Sequence, residues 1–261
     1  MTSPLWPWQI RGIDETLKLL KAGELAICVQ SPTGMGKGRM MEEVTRSFAD
    51  LGGRVVLYTN RRFITTKTGE RMGAAGFDYG FAASGYAVRG DGTDLDKRVL
   101  VASAQTVLSK VRSEKWELPQ ADLVIFDEAH NKTFLPLMGA YRAASPGTAQ
   151  VLFTATPVGL AGCAARLVVA GTKQEGRAGG ALVPCSVVAP SEPDLGVTCE
   201  ETEEAVKPLS LETCSEKELT RRTMQCIVFA DVFTEWDKNH PWRWPTILWA
   251  PGVPESRWFV E

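Results

Sequence analysis

The sequence predicts an α/β fold, a parallel sheet covered by helices on both faces, and three observations carry that prediction. Short apolar runs alternate with segments long enough for crossover helices. A glycine-rich motif, Ser31-Pro32-Thr33-Gly34-Met35-Gly36-Lys37-Gly38, follows the run Leu25 to Gln30. A carboxylate motif, Asp127-Glu128-Ala129-His130, follows the run Leu123 to Phe126. The carboxyl ends of buried strands are where such a sheet presents its ligand-binding groups.

The elements follow in order. Ile10, Ile13, Leu17 and Leu20 recur at helical spacing after Pro7, and Gly23 supplies the stop, so the first element is an amphipathic helix. Strands are expected at Leu25 to Gln30, Val55 to Thr59, Val99 to Ser103, Leu123 to Phe126 and Val151 to Thr154. The composition shifts at Ala189-Pro190-Ser191-Glu192-Pro193-Asp194, and the acidic run Glu200-Glu201-Thr202-Glu203-Glu204 marks an exposed linker. A helix is expected from about Glu216 to Trp236, with Ile227, Phe229, Val232, Phe233 and Trp236 as its buried stripe. Pro245 to Val253 reads as the first strand and turn of another α/β domain. The expected division is therefore residues 1–190 as the first domain, 191–244 as linker and helix, and 245–261 as the start of a second domain whose remainder is missing. Trp236, Trp242, Trp244, Trp249 and Trp258 concentrate at that end, where they would leave an apolar surface without a partner domain.

Composition bounds the function. With 44% apolar and 23% charged residues in 261, the chain can bury a sizeable core. No apolar run of membrane-spanning length and no secretory leader occur, so a cytoplasmic protein without a membrane partner is expected. The six cysteines are widely spaced, form no C-x-x-C pair and have only two histidines to join them, which argues against zinc or a disulfide framework. A net charge of -2 gives no global attraction for nucleic acid, so phosphate contacts must come from a local patch.

The two motifs together point to a nucleoside triphosphate. Gly34 and Gly36 let backbone N–H groups approach phosphate oxygens at a helix N-terminus, and Lys37 reaches the β- and γ-phosphates. Adjacent carboxylates at a strand end resist ionising together unless a cation joins them. Asp127 is therefore expected to hold Mg²⁺, with Glu128 beside it orienting and deprotonating the attacking water.

A series of motifs in order resembles superfamily 2 helicases and translocases of the DEAD/DEAH class over about residues 5 to 160. Pro7-Trp8-Gln9 resembles the adenine-reading motif, Ser31 to Lys37 motif I, and Tyr58-Thr59-Asn60-Arg61-Arg62 motif Ia. Val101-Ala102-Ser103-Ala104-Gln105-Thr106 is similar to motif Ib, Asp127 to His130 to motif II, and Thr154-Ala155-Thr156 to motif III. Gly179 to Pro184 and Pro245 to Val253 look like phage-type or restriction-type members. The resemblance implies a RecA-like domain of the P-loop NTPase class that works with a second such domain, ATP clamped between them. It implies that Gln9 reads adenine, that Ser31 to Gly38 bind the nucleotide, and that Asp127 and Glu128 serve metal and water. His130, Thr154 and Thr156 would couple the nucleotide to the strand. Arg61, Arg62, Ser103, Gln105 and Thr106, with Lys67 nearby, would hold nucleic acid by its backbone, DNA rather than RNA.

Two departures bear on activity. Gly38 stands where motif I carries Ser or Thr, so the hydroxyl ligand of Mg²⁺ is absent and a water is expected in its place. The arginine finger belongs to the missing second domain and is worth about 10³- to 10⁵-fold in rate. The leading expectation is thus the ATP-binding part of an ATP-driven helicase, weak in hydrolysis as an isolated chain. The competing one is a nucleotide- or nucleic-acid-binding module that has lost catalysis. A P-loop kinase would leave motifs Ia, Ib and III without a role.

Overall fold

The computed structural model describes residues 4–83 and 93–183. They lie in one of the chain's two compact units, Met1–Pro184. The expected helix at 216–236, the strand at 245–253 and the linker lie outside the described residues.

Pro7 opens α1 (Pro7–Lys21), where its missing N–H is no loss. The buried face is Trp8, Gln9, Gly12, Ile13 and Thr16, and Ile10, expected there, is 44% exposed. The small and polar residues Gly12, Gln9 and Thr16 take the contact face, which turns Ile10 past its edge. A Cβ on Gly12 would sit 2.5 Å from Ala170 Cβ, so the helix rests directly on the backbone beneath it. At the other end Gly23 takes φ +88°, and reverse bonds from Gly23 N–H to Leu20 O and from Glu24 N–H to Leu19 O close the last turn.

The strands are β1 (Ala26–Gln30), β2 (Val55–Thr59), β3 (Tyr79–Ala82), β4 (Val99–Ser103), β5 (Leu123–Asp127), β6 (Ala149–Thr154) and β7 (Arg166–Val169). They form one sheet in the order β3-β4-β2-β5-β6-β1-β7, every pair parallel. The remaining helices are α2 (Lys37–Ala49), α3 (Arg62–Ala74), α4 (Ala104–Arg112), α5 (Leu135–Ala144) and α6 (Lys173–Ala178). Strand alternation divides the core in two. Ile27, Val29, Leu57, Val101, Ile125 and Val151 meet Ile13 of α1, Met40, Met41 and Val44 of α2, and Met72 of α3. Val56, Tyr58, Leu100, Phe126 and Leu152 meet Val107 of α4 and Leu137, Met138 and Tyr141 of α5 on the opposite face. Burial on both faces is why β2, β4 and β6 are buried at every position.

Five of the seven strands are those expected from the sequence, within two residues at each end. The two unforeseen ones, β3 and β7, are the sheet's edges. Only alternate residues of β3 and only Val168 of β7 are buried, so neither carries a continuous apolar run.

Candidate nucleotide-binding site

The site forms where three neighbouring strands end. Register places Gln30 of β1 beside Thr154 of β6, and Phe153 beside Asp127 of β5. Residues after β1, β5 and β6 therefore emerge at one level of the sheet's carboxyl edge, although they are distant in sequence.

The loop from Ser31 to Gly36 begins with Ser31 N–H bonded to Thr154 O and turns through Met35 N–H to Pro32 O. Gly34 and Gly36 take φ of +85° and +80°, a region that penalises any side chain. Gly36 is the N-cap of α2 and no side chain caps that helix end, so the first amides of α2 stand ready for an anion. Met35 points the other way, into the core, and its carbonyl accepts from Trp8 Nε1 and Gln9 Nε2, both at 3.2 Å. The hydroxyl of Ser31 is buried and has no hydrogen-bond partner among the described residues.

Gln9 is engaged by protein groups through both ends of its amide. Its Oε1 accepts from the Trp6 N–H at 2.9 Å, and Nε2 donates to the Met35 and Gly36 carbonyls. A Cβ on Gly36 would meet Nε2 at 2.2 Å. The amide thus caps α1 at one end and braces the loop at the other.

The structure brings Lys37 and Glu128 together. Lys37 is 9% exposed, with Nζ 3.1 Å from Glu128 Oε1. Glu128 holds φ at +54°, a left-handed conformation unusual for a side chain of its size. The turn is pinned by Ala129 N–H to Phe153 O and Asn131 N–H to Glu128 O. Burial, then the Glu128 carboxylate, push the Asp127 carboxyl above its ordinary range, while Arg71 and Lys37 pull the other way.

His130 connects this turn to the end of β6. Its Nδ1 lies 2.9 Å from Thr154 Oγ1 and 3.6 Å from Glu128 Oε2. Thr154 Oγ1 also donates to Thr156 O and accepts from Thr156 N–H, both at 3.1 Å. All three contacts of this hydroxyl are satisfied together only when Nδ1 carries the proton. The residues expected to couple nucleotide and strand therefore form one hydrogen-bonded chain.

Motifs Ia and Ib end neighbouring strands, with Thr59 in register with Ser103. Arg61 and Arg62 open α3 on the surface and Gln105 is exposed on α4, whereas Ser103 and Thr106 are buried. Lys67 pairs with Glu70 at 2.8 Å. Phe63, 71% exposed beside the two arginines, was not singled out by the sequence reading. A lone apolar residue in a basic turn gives no periodic signal.

Arg71 of α3 was missed too. A Cβ on Gly38 would lie 2.2 Å from its Nη1 and 2.5 Å from Cζ, so the guanidinium fills the room that a Ser or Thr side chain would need. Its Nε lies 2.8 Å from Glu42 Oε1 of α2. Position 38 therefore offers no hydroxyl, Glu128 is engaged by Lys37, and the Arg71 guanidinium lies over Gly38. The hydroxyl missing from motif I in the sequence is thus matched in the structure by a guanidinium over the same position. A cavity of about 710 Å³ opens beside the loop, lined by Pro32, Thr33, Thr156, Thr172, Lys173 and Arg177 among others.

The fold and site define the class: a RecA-like P-loop NTPase domain of the superfamily 2 helicase type. More narrowly, residues 2–159 match the family described as Type III restriction enzyme, res subunit, and the chain belongs to that family. No curated protein matches it. Among solved structures it is similar to the UvsW helicase from bacteriophage T4, at 15% identity and a TM-score of 0.51 over 64% of this chain and 60% of that one. It is also similar to a nuclease-deletion mutant of the Type ISP restriction-modification enzyme LlaGI in complex with a DNA substrate mimic. There identity is 14% and the TM-score 0.50, over 69% of this chain and 21% of that one. The chain spans less than two thirds of the length of either. At such identity the likeness establishes the fold. Among the described residues no helix is long and apolar enough to cross a membrane.

Proposed function

We propose that residues 1–190 are the ATP-binding domain of an ATP-driven helicase or translocase, acting on DNA. The observation that carries this reading is the meeting of motifs I, II and III on adjacent strand ends, with Lys37, Glu128, His130 and Thr154 in one chain of contacts. In this reading the amides after Gly36 and the Lys37 ammonium hold the triphosphate. Glu128, held by its turn at the edge of the site, orients and deprotonates the attacking water. His130 and Thr154 pass the state of the phosphates to the strand-binding edge at Arg61, Arg62, Gln105 and the exposed Phe63, whose ring offers a base a stacking surface. The preference for DNA draws support from the DNA mimic bound by LlaGI.

A second reading, a binding module that has lost catalysis, is favoured by one observation: Gly38 lies under the Arg71 guanidinium in place of a metal-ligating hydroxyl. Calorimetry of the full chain with ATP, and ATP turnover with and without single-stranded DNA, tests both. Saturable binding weakened at least tenfold in Lys37→Ala, with DNA-stimulated turnover lost in Glu128→Gln, is the expected result. Binding without turnover, with metal-dependent ATP binding gained only in Gly38→Thr, selects the second reading. Undiminished binding in Lys37→Ala refutes both.

A further inference from the structure

Gly38 does more than lack a hydroxyl. The space above its Cα is taken by the far end of Arg71, a residue on a different helix and distant in sequence. Arg71 is held there from one side. Its Nε faces Glu42 Oε1 at 2.8 Å, close enough to pair in charge but not aligned as a hydrogen bond, and Arg39 grips the other oxygen of Glu42 at 2.8 Å. Glu42 is buried, whereas the Arg71 side chain is 38% exposed, so the pair is anchored on the Glu42 side and reaches solvent on the other. Both Nε and Nη2 of Arg71 are buried and have no hydrogen-bond partner among the described residues. A planar guanidinium with unused donors, beside the lysine of a phosphate loop, matches the oxygens of a phosphate group in shape and charge. Nε is already turned to Glu42, which leaves the Nη end of the guanidinium over Gly38 to meet an anionic oxygen.

We infer that Arg71 stands in for the motif I hydroxyl and the divalent cation it would hold, so that this loop binds the triphosphate of ATP without requiring a divalent metal. The inference rests on the loop being an ATP site. Arg71 is a resident cation at the position of the missing hydroxyl, and Gly38 is the residue that makes room for it. Adding a side chain at position 38 should therefore push Arg71 aside and not simply repair the motif.

The test is calorimetric titration of ATP into the full chain, once with Mg²⁺ and once with excess EDTA. The variants are Arg71→Gln, Arg71→Lys and the double variant Gly38→Thr with Arg71→Gln. Glutamine keeps a polar contact to Glu42, which guards against unfolding, and the circular-dichroism melt of each variant checks it. The wild-type chain is expected to bind ATP in EDTA within about threefold of its affinity in Mg²⁺. Arg71→Gln is expected to lose about tenfold to a hundredfold in EDTA, Arg71→Lys less, and the double variant to become metal-dependent. Wild-type binding that needs Mg²⁺, or metal-free binding unchanged in Arg71→Gln, overturns this inference while leaving the ATP site intact. No ATP binding in either buffer overturns the ATP reading and the inference with it.

Discussion

Replacing Gly12 by alanine should weaken the protein even though alanine is the better helix former. The new Cβ would stand 2.5 Å from Ala170 Cβ, with Met40 Sδ at 3.3 Å. Carbon atoms rest at about 3.5–4.0 Å, so α1 must lift by about 1 Å. Gln9, one turn earlier on the same face, now reaches Met35 O at 3.2 Å and Gly36 O at 3.4 Å, and a lift of that size takes both beyond hydrogen-bond range. Overpacking costs about 1–3 kcal/mol and the weakened bonds about 1–2 kcal/mol together. The helix gains about 1 kcal/mol from losing a glycine. The net is a loss of about 1–4 kcal/mol, with a looser phosphate loop as a second symptom. Gly139, on the exposed side of α5, has nothing within 4 Å of a built Cβ. Gly139→Ala should therefore show the propensity gain alone, about 0.5–1 kcal/mol of stabilisation. Urea unfolding followed by circular dichroism measures both. A Gly12→Ala chain as stable as wild type, or a Gly139→Ala chain less stable, would refute the reasoning that α1 is seated on backbone contact.

Two further outcomes follow from buried polar groups. Tyr58 and Tyr141 share a hydrogen bond at 3.1 Å and Tyr141 donates to Pro119 O at 2.8 Å, so Tyr58 is the donor of the pair. Tyr141→Phe strands the buried Tyr58 hydroxyl and the half-buried Pro119 carbonyl and should cost about 1–3 kcal/mol, Tyr58→Phe less. A denaturation double-mutant cycle should find the double variant better than additive by about 1 kcal/mol, and strict additivity would count against the shared bond. Burial raises the Asp127 carboxyl above its ordinary 3.8, so the folded state favours the neutral form. Stability from that group is present below the ordinary value and is lost as pH rises through the raised one. Asp127→Asn should accordingly be more stable than wild type near pH 7, with the difference vanishing in acid. A less stable variant at neutral pH would contradict the sign.

The central strands were legible because β2, β4, β5 and β6 are buried on both faces and read as unbroken apolar runs. The edges were not, since Tyr79-Gly80-Phe81-Ala82 and Arg166-Leu167-Val168-Val169 each bury only part of their surface. Motifs I, II and III could be joined in advance because each directly follows a strand, and parallel strands end at one edge. The stance of Gln9 could not, because it depends on the angle at which α1 crosses the loop. Arg71 escaped for a different reason. It lies on α3, Gly38 on α2, and only packing brings a guanidinium over a missing side chain. The exchange of hydroxyl for glycine was visible; what occupies the room was not.

The left-handed backbone at Glu128 sets two kinds of selection against each other. A glutamate with φ +54° costs the fold about 1–3 kcal/mol relative to a residue at ease there. Glycine or asparagine would relieve it, yet neither supplies a carboxylate at the strand end. A lineage screened only for heat resistance should drift away from glutamate at this position, while one that must turn over nucleotide cannot. The residue that survives at position 128 thus records which demand has been the stronger.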